Sequence, residues 1–110
     1  FFALESDAGG FTPRGFSFDT SEEEFKSIKK FEKLFKDYGM NNFFLGGSGA
    51  DIGPLKDGII ILAGLRPDPQ RYFDVHHAAS DTFDKINRRE LELGAASMAS
   101  LIYLIDNYKL

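Results

Sequence analysis

The sequence predicts an α/β fold, a sheet layered against helices, and three features carry that reading. The run Ile59-Ile60-Ile61-Leu62-Ala63 is apolar without polar alternation, as in a strand covered on both faces. Two stretches of helical apolar spacing each open on a capping-box pattern, Ser21 to Glu24 and Asn87 to Glu90. Short apolar segments elsewhere end in glycine-rich turns, the punctuation of strands in a layered sheet. With 110 residues, 43% of them hydrophobic, the chain has one domain's worth of material and can bury a core.

Taken in order, residues 1–6 read as a short apolar strand that delivers Asp7 to a loop, 7–15, rich in glycine and proline. Behind the Ser21 cap, Phe25, Ile28, Phe31, Leu34, Phe35 and Tyr38 recur at helical spacing until Gly39 stops the helix, with lysines and glutamates outward. A second strand is expected at 42–45 and a third at 58–65, joined by Gly46-Gly47-Ser48-Gly49-Ala50-Asp51-Ile52-Gly53-Pro54-Leu55. The terminal helix, 88–108, carries a stripe of Leu91, Gly94, Ala95, Met98, Leu101, Ile102 and Ile105, whose small members allow close approach to a sheet. The order strand, helix, strand, strand, helix gives about three core strands and two flanking helices, with no internal repeat.

Composition excludes several classes of function. A net charge of −4 argues against a phosphate-backbone footprint, and nucleic acid is not expected as a partner. Without cysteine there are no disulfides and no thiolate ligands, which leaves any metal to carboxylate and imidazole groups. No apolar run approaches the ~18 residues of a membrane span. Because the chain starts at Phe1, inside an apparent buried strand, it reads as a piece of something longer.

Two segments could carry metal chemistry. Asp7 stands at the end of a strand, where α/β proteins converge their ligand-binding loops, although an Asx turn or loop cap would use the same residue. Tyr72-Phe73-Asp74-Val75-His76-His77 holds both histidines, and adjacent rings on an extended backbone cannot face one point, so one of them at most is a ligand. Asp81 either orients that imidazole through its carboxylate or caps a helical turn with Thr82. The glycine-rich loop lacks the Lys-Ser/Thr ending of a P-loop and the Gly-x-Gly-x-x-Gly order of a dinucleotide site. With its single acid, Asp51, it reads instead as a place where backbone can approach a bound substrate closely.

Together, Glu5-Ser6-Asp7, Thr12-Pro13-Arg14-Gly15-Phe16, the 46–55 loop, Gly64-Leu65-Arg66-Pro67-Asp68, and Tyr72 to His77 followed by Asp81-Thr82 resemble the C-terminal half of the catalytic domain of zinc exopeptidases of the aminopeptidase Y and plasma glutamate carboxypeptidase (carboxypeptidase Q) group. The five segments keep their order along nearly the whole chain. The resemblance implies part of a mixed, mostly parallel sheet flanked by helices, the phosphorylase/hydrolase-like fold of zinc exopeptidases, incomplete in this chain. It implies residues 1–110 as the C-terminal half of a zinc peptidase catalytic domain that hydrolyses peptide bonds near the amino end of short peptides or dipeptides. It also implies, for the complete enzyme, two zinc ions about 3.5–4 Å apart that activate a water.

On the same resemblance, Asp7 matches the late terminal aspartate of one zinc, and His77 the last histidine, on the other, because the family's histidine stands four residues before Asp-Thr. Asp81 falls behind it. Asp51 falls where relatives carry an acid at the rim of the site, to bind the substrate amino group or orient a ligand, and Arg66, Tyr72 and Phe73 would then lie on loops near the same crevice as candidate pocket walls. The family's first histidine, bridging aspartate, general-base glutamate and adjacent ligand glutamate all lie upstream of the matching region. No catalytic base is therefore expected here, Glu5 is not assigned that role, and the chain alone is expected to be inactive. The implied partners are a peptide substrate and the remainder of the catalytic domain, with a homodimer left open, and the implied location is secreted or periplasmic. Two alternatives use the same fold: a non-catalytic receptor or interaction domain, and a glutaminyl cyclase-like enzyme with one zinc.

Overall fold

The computed structural model describes residues 2–7, 11–40, 42–49, 51–56, 61–67 and 87–108. Its elements are β1 (Phe2–Glu5), β2 (Pro13–Asp19), α1 (Glu22–Lys29), a 3-10 helix (Glu32–Tyr38), β3 (Asn42–Leu45), a short 3-10 turn (Gly53–Leu55), β4 (Ile61–Pro67) and α2 (Arg88–Tyr108). The four strands form one sheet in the order β1-β4-β2-β3. The β1–β4 and β2–β3 pairs run parallel, and β2–β4 runs antiparallel. The expected α/β class and the mixed, mostly parallel sheet are both present.

The sequence reading missed β2, which lies inside the sheet between β4 and β3. Pro13 and Gly15 look like loop residues, but each has a place in a strand. Pro13 is the first residue of β2, where a missing N–H costs least. A Cβ at Gly15 would collide with the carbonyl oxygen of Asn42, so only glycine lets β2 and β3 pair there. Beyond it the period of two is plain, with Phe16 and Phe18 on one face and Ser17 and Asp19 on the other.

The predicted 21–38 helix is two pieces. Ser21 caps α1 by accepting a hydrogen bond from the Glu24 N–H at 3.2 Å. The ladder then tightens, with Phe31 N–H on Ile28 O and Leu34 N–H on Phe31 O, both 2.9 Å, and continues as a 3-10 helix to Gly39 in the left-handed conformation. Asn87 caps α2 through Oδ1 to the Glu90 N–H at 3.1 Å. The buried stripe of α2 is Gly94, Ser97, Leu101 and Ile105, whereas Leu91 and Ile102 of the expected stripe are about half exposed. Ser97 can sit in the stripe because its hydroxyl donates to Leu93 O of its own helix at 2.7 Å.

One face of the sheet is packed by these helices. Phe16, Phe18, Ile28, Phe31, Phe35, Met40, Phe43, Ile61, Ala63, Leu65, Leu101 and Ile105 form a single cluster. Phe16 meets Phe43 edge-on at 5.7 Å and Phe35 at 5.9 Å, the geometry that lets ring edges meet ring faces. Lys29 and Glu32 fasten β3 to this layer: the Glu32 carboxylate accepts the Phe43 N–H at 2.8 Å, and Lys29 Nζ donates to Phe43 O at 2.9 Å. They also pair with each other at 2.8 Å. Burial alone would raise the Glu32 pKa, but the bonds from Lys29 and from Phe43, with the Lys29 charge, outweigh it and hold the group below its ordinary value. Among the described residues no helix is long and apolar enough to cross a membrane.

Candidate functional site

The opposite face is covered by backbone. Leaving β3, the chain crosses the sheet from β2 over β4 to β1 and returns. Gly46 N–H donates to Phe18 O at 3.0 Å, and Ser17 Oγ donates to Gly47 O at 2.7 Å. Ser48 O lies so close to β4 that a Cβ at Gly64 would collide with it. Gly49, at φ 155°, brings the chain against Glu5, where a Cβ would overlap the carboxylate. Lys56 ends the crossing on Asp19, 3.2 Å away.

Two side chains hold this crossing from below. Arg66 donates through Nε to Ser17 Oγ at 2.9 Å and through Nη2 to Gly47 O at 2.6 Å. Glu5, only 8% exposed, accepts the N–H groups of both Asp51 and Ile52 on Oε1, each at 3.1 Å. The glycines of this loop, expected to admit a substrate, therefore bring it down onto the sheet itself. Neither Glu5 nor Ser17 was singled out as a site residue in the sequence. The available signal was alternation, which puts Glu5 and Ser17 on the face away from the phenylalanines.

Parallel pairing brings the carboxyl ends of β1 and β4 to one edge of the sheet, with Glu5 opposite Gly64. Asp7 stands two residues beyond Glu5, exposed, with no hydrogen bond or ion pair among the described residues. Asp51 is exposed on the turn that Glu5 holds, so the fold brings the backbone around both acids to the same end of the sheet. Arg66 lies on β4, half-buried, with two donors committed to the loop. Tyr72, Phe73, His76, His77 and Asp81 lie outside the described residues, as do residues 58–60 of the third expected strand. Among the described residues no three acids or histidines group closely enough to hold a metal ion. Asp7 and Asp51 both keep exposed carboxylates with no hydrogen bond or ion pair among the described residues.

No protein-family model matches the sequence. Over 102 residues the chain is 28% identical to carboxypeptidase Q of Mus musculus, and equally so to those of Rattus norvegicus and Homo sapiens, a match that covers 93% of this chain. Among solved structures, the Peptidase M28 precursor from Shewanella amazonensis SB2B superposes with a TM-score of 0.78 at 28% identity, over 90% of this chain. The chain is thus similar to carboxypeptidase Q and to a Peptidase M28 precursor. It spans about a fifth of the length of those proteins, 22% of the carboxypeptidases and 23% of the solved structure.

Proposed function

We propose that the chain is the C-terminal half of the catalytic domain of a zinc-dependent exopeptidase, whose complete form hydrolyses peptide bonds near the amino end of short peptides or dipeptides. The observation that carries this is Asp7. It is an exposed carboxylate uncommitted among the described residues, at the carboxyl end of β1, within a segment similar to carboxypeptidase Q. Two zinc ions, one held by Asp7 and the other by His77 together with ligands outside this chain, would supply an activated water.

The roles of this chain's own residues follow. Asp7 contributes one carboxylate oxygen and His77 one imidazole nitrogen, with Asp81 orienting that ring. Asp51, exposed on its turn, takes the ammonium of the substrate's amino end, a charge-assisted contact that fixes the scissile bond's distance from the terminus. Tyr72 and Phe73 line the pocket, and Arg66 joins them only through donors not already bound to Ser17 and Gly47. Glu5 is not the base: it is buried, and it already receives two backbone N–H groups. The base comes from the remainder of the domain. A secreted or periplasmic location accompanies this reading.

The test is hydrolysis of dipeptides and aminoacyl-nitroanilides by the intact protein that carries this chain. Cleavage that a chelator stops and zinc restores is expected, with none from the 110-residue chain alone, because a positioned base contributes roughly a hundredfold to ten-thousandfold. Zinc-dependent turnover by the isolated chain, lost in His77→Ala, would overturn the assignment of the base.

A further inference from the structure

We infer that Glu5 is a positioning residue, which sets the Asp51 turn at the end of β1 and thereby tunes how tightly a substrate's amino terminus is held. The inference rests on the role proposed for Asp51. Carboxylates with 8% exposure are rare, and Glu5 has no cationic partner among the described residues; what it has is the pair of N–H groups of Asp51 and Ile52, both on Oε1. Its other oxygen, Oε2, is buried with no hydrogen-bond partner among the described residues. The residue is therefore retained at a desolvation cost while contributing one bifurcated grip on one turn. Gly49 lets the loop lie against this carboxylate, since any side chain there would overlap it.

Glu5 and Asp7 leave the same strand two residues apart, so the turn carrying Asp51 is referenced to the segment that carries the proposed metal ligand. A charged contact to a substrate amine acts only if its distance from the reacting centre is fixed, and loosening the turn spreads Asp51 over many positions. The chemistry at the metal does not pass through Glu5. Its loss should therefore appear in KM, with kcat nearly unchanged.

The experiment uses the intact protein with a dipeptide substrate, and compares Glu5→Ala, Glu5→Gln, Asp51→Asn and Glu5→Ala/Asp51→Asn. Glutamine keeps an acceptor at Oε1, so it should stay near the parent. Alanine should raise KM roughly tenfold, with kcat changed less than about threefold. The double variant should be no worse than the worse single, because both remove the same contact. Amide hydrogen exchange at Asp51 and Ile52 supplies a readout independent of activity: it should accelerate in Glu5→Ala and recover in Glu5→Gln. Should Glu5→Ala not fold, Gly49→Ala displaces the turn with Glu5 intact and should raise KM in the same way. Additive losses in the double variant, or a fall in kcat at constant KM, would overturn the positioning role, as would unchanged exchange in Glu5→Ala. Freed amides together with an Asp51→Asn variant of normal KM would keep the grip and overturn the amine-binding role of Asp51 on which the inference rests.

Discussion

The two faces of this sheet are sealed by different means. On one, side chains do the sealing: Phe16, Phe18 and Phe43 interlock with Phe35, Ile28 and the α2 stripe. On the other, the backbone of the 46–56 segment lies directly on β2, β4 and β1, and the strands answer with Ser17, Gly64 and Glu5. The helix-covered face supplies apolar burial, and its energy is spread over many rings. The loop-covered face contributes through a few hydrogen bonds and close approaches, each of which places a particular stretch of backbone. A crossing loop held at named points can present Asp51 at a fixed place at the end of the sheet, which a ring cluster cannot.

Substitutions on the two faces should therefore fail differently. The largest loss of stability is expected from Phe16→Ala, about 3–5 kcal/mol from the cavity and the lost ring contacts, measured by denaturant unfolding. Gly64→Val should cost about 1–3 kcal/mol, since the new side chain must displace Ser48 backbone. Its exchange pattern should locate the damage in residues 46–52 and spare the Phe43 amide. If Gly64→Val instead loosens the phenylalanine cluster first, the two faces are not separable and the contrast fails.

A smaller effect is expected at the clasp between the helical layer and β3. Glu32 has a folded pKa below its ordinary value of 4.5, so its contribution is complete above that value and disappears as pH falls through the lower folded value. Unfolding free energies of the parent and Glu32→Gln should differ at neutral pH and converge in acid. A gap that widens in acid would reverse the sign. Lys29 is about half exposed, so added salt should narrow the gap at neutral pH as well.

Much of the fold was legible because its signals are local. The Ser21 and Asn87 caps, β3 and the extent of α2 all follow from adjacent residues. β2 was hidden because Pro13 and Gly15 carry their usual loop meaning unless the position of Asn42 is known, which is tertiary information. The α2 stripe was read too wide: Leu91 and Ile102 have the right spacing but are about half exposed, while Gly94, Leu101 and Ile105 are buried and Ser97 joins them. At the site, Asp7 was legible as an acid at a strand end. Glu5 was not, because a glutamate on a short strand reads as solvated until the loop above it is in place.

Zinc content is the quantity that decides whether Asp7 and His77 belong to one metal centre despite a separation of 70 residues in the sequence. The intact protein should be purified as Asp7→Asn, His77→Ala and His76→Ala, and bound zinc measured per chain alongside the parent. Asp7→Asn and His77→Ala should each lose about one zinc while remaining folded, with His76→Ala at the parent's content. Full zinc loading in both Asp7→Asn and His77→Ala, or depletion confined to His76→Ala, would contradict the assignment.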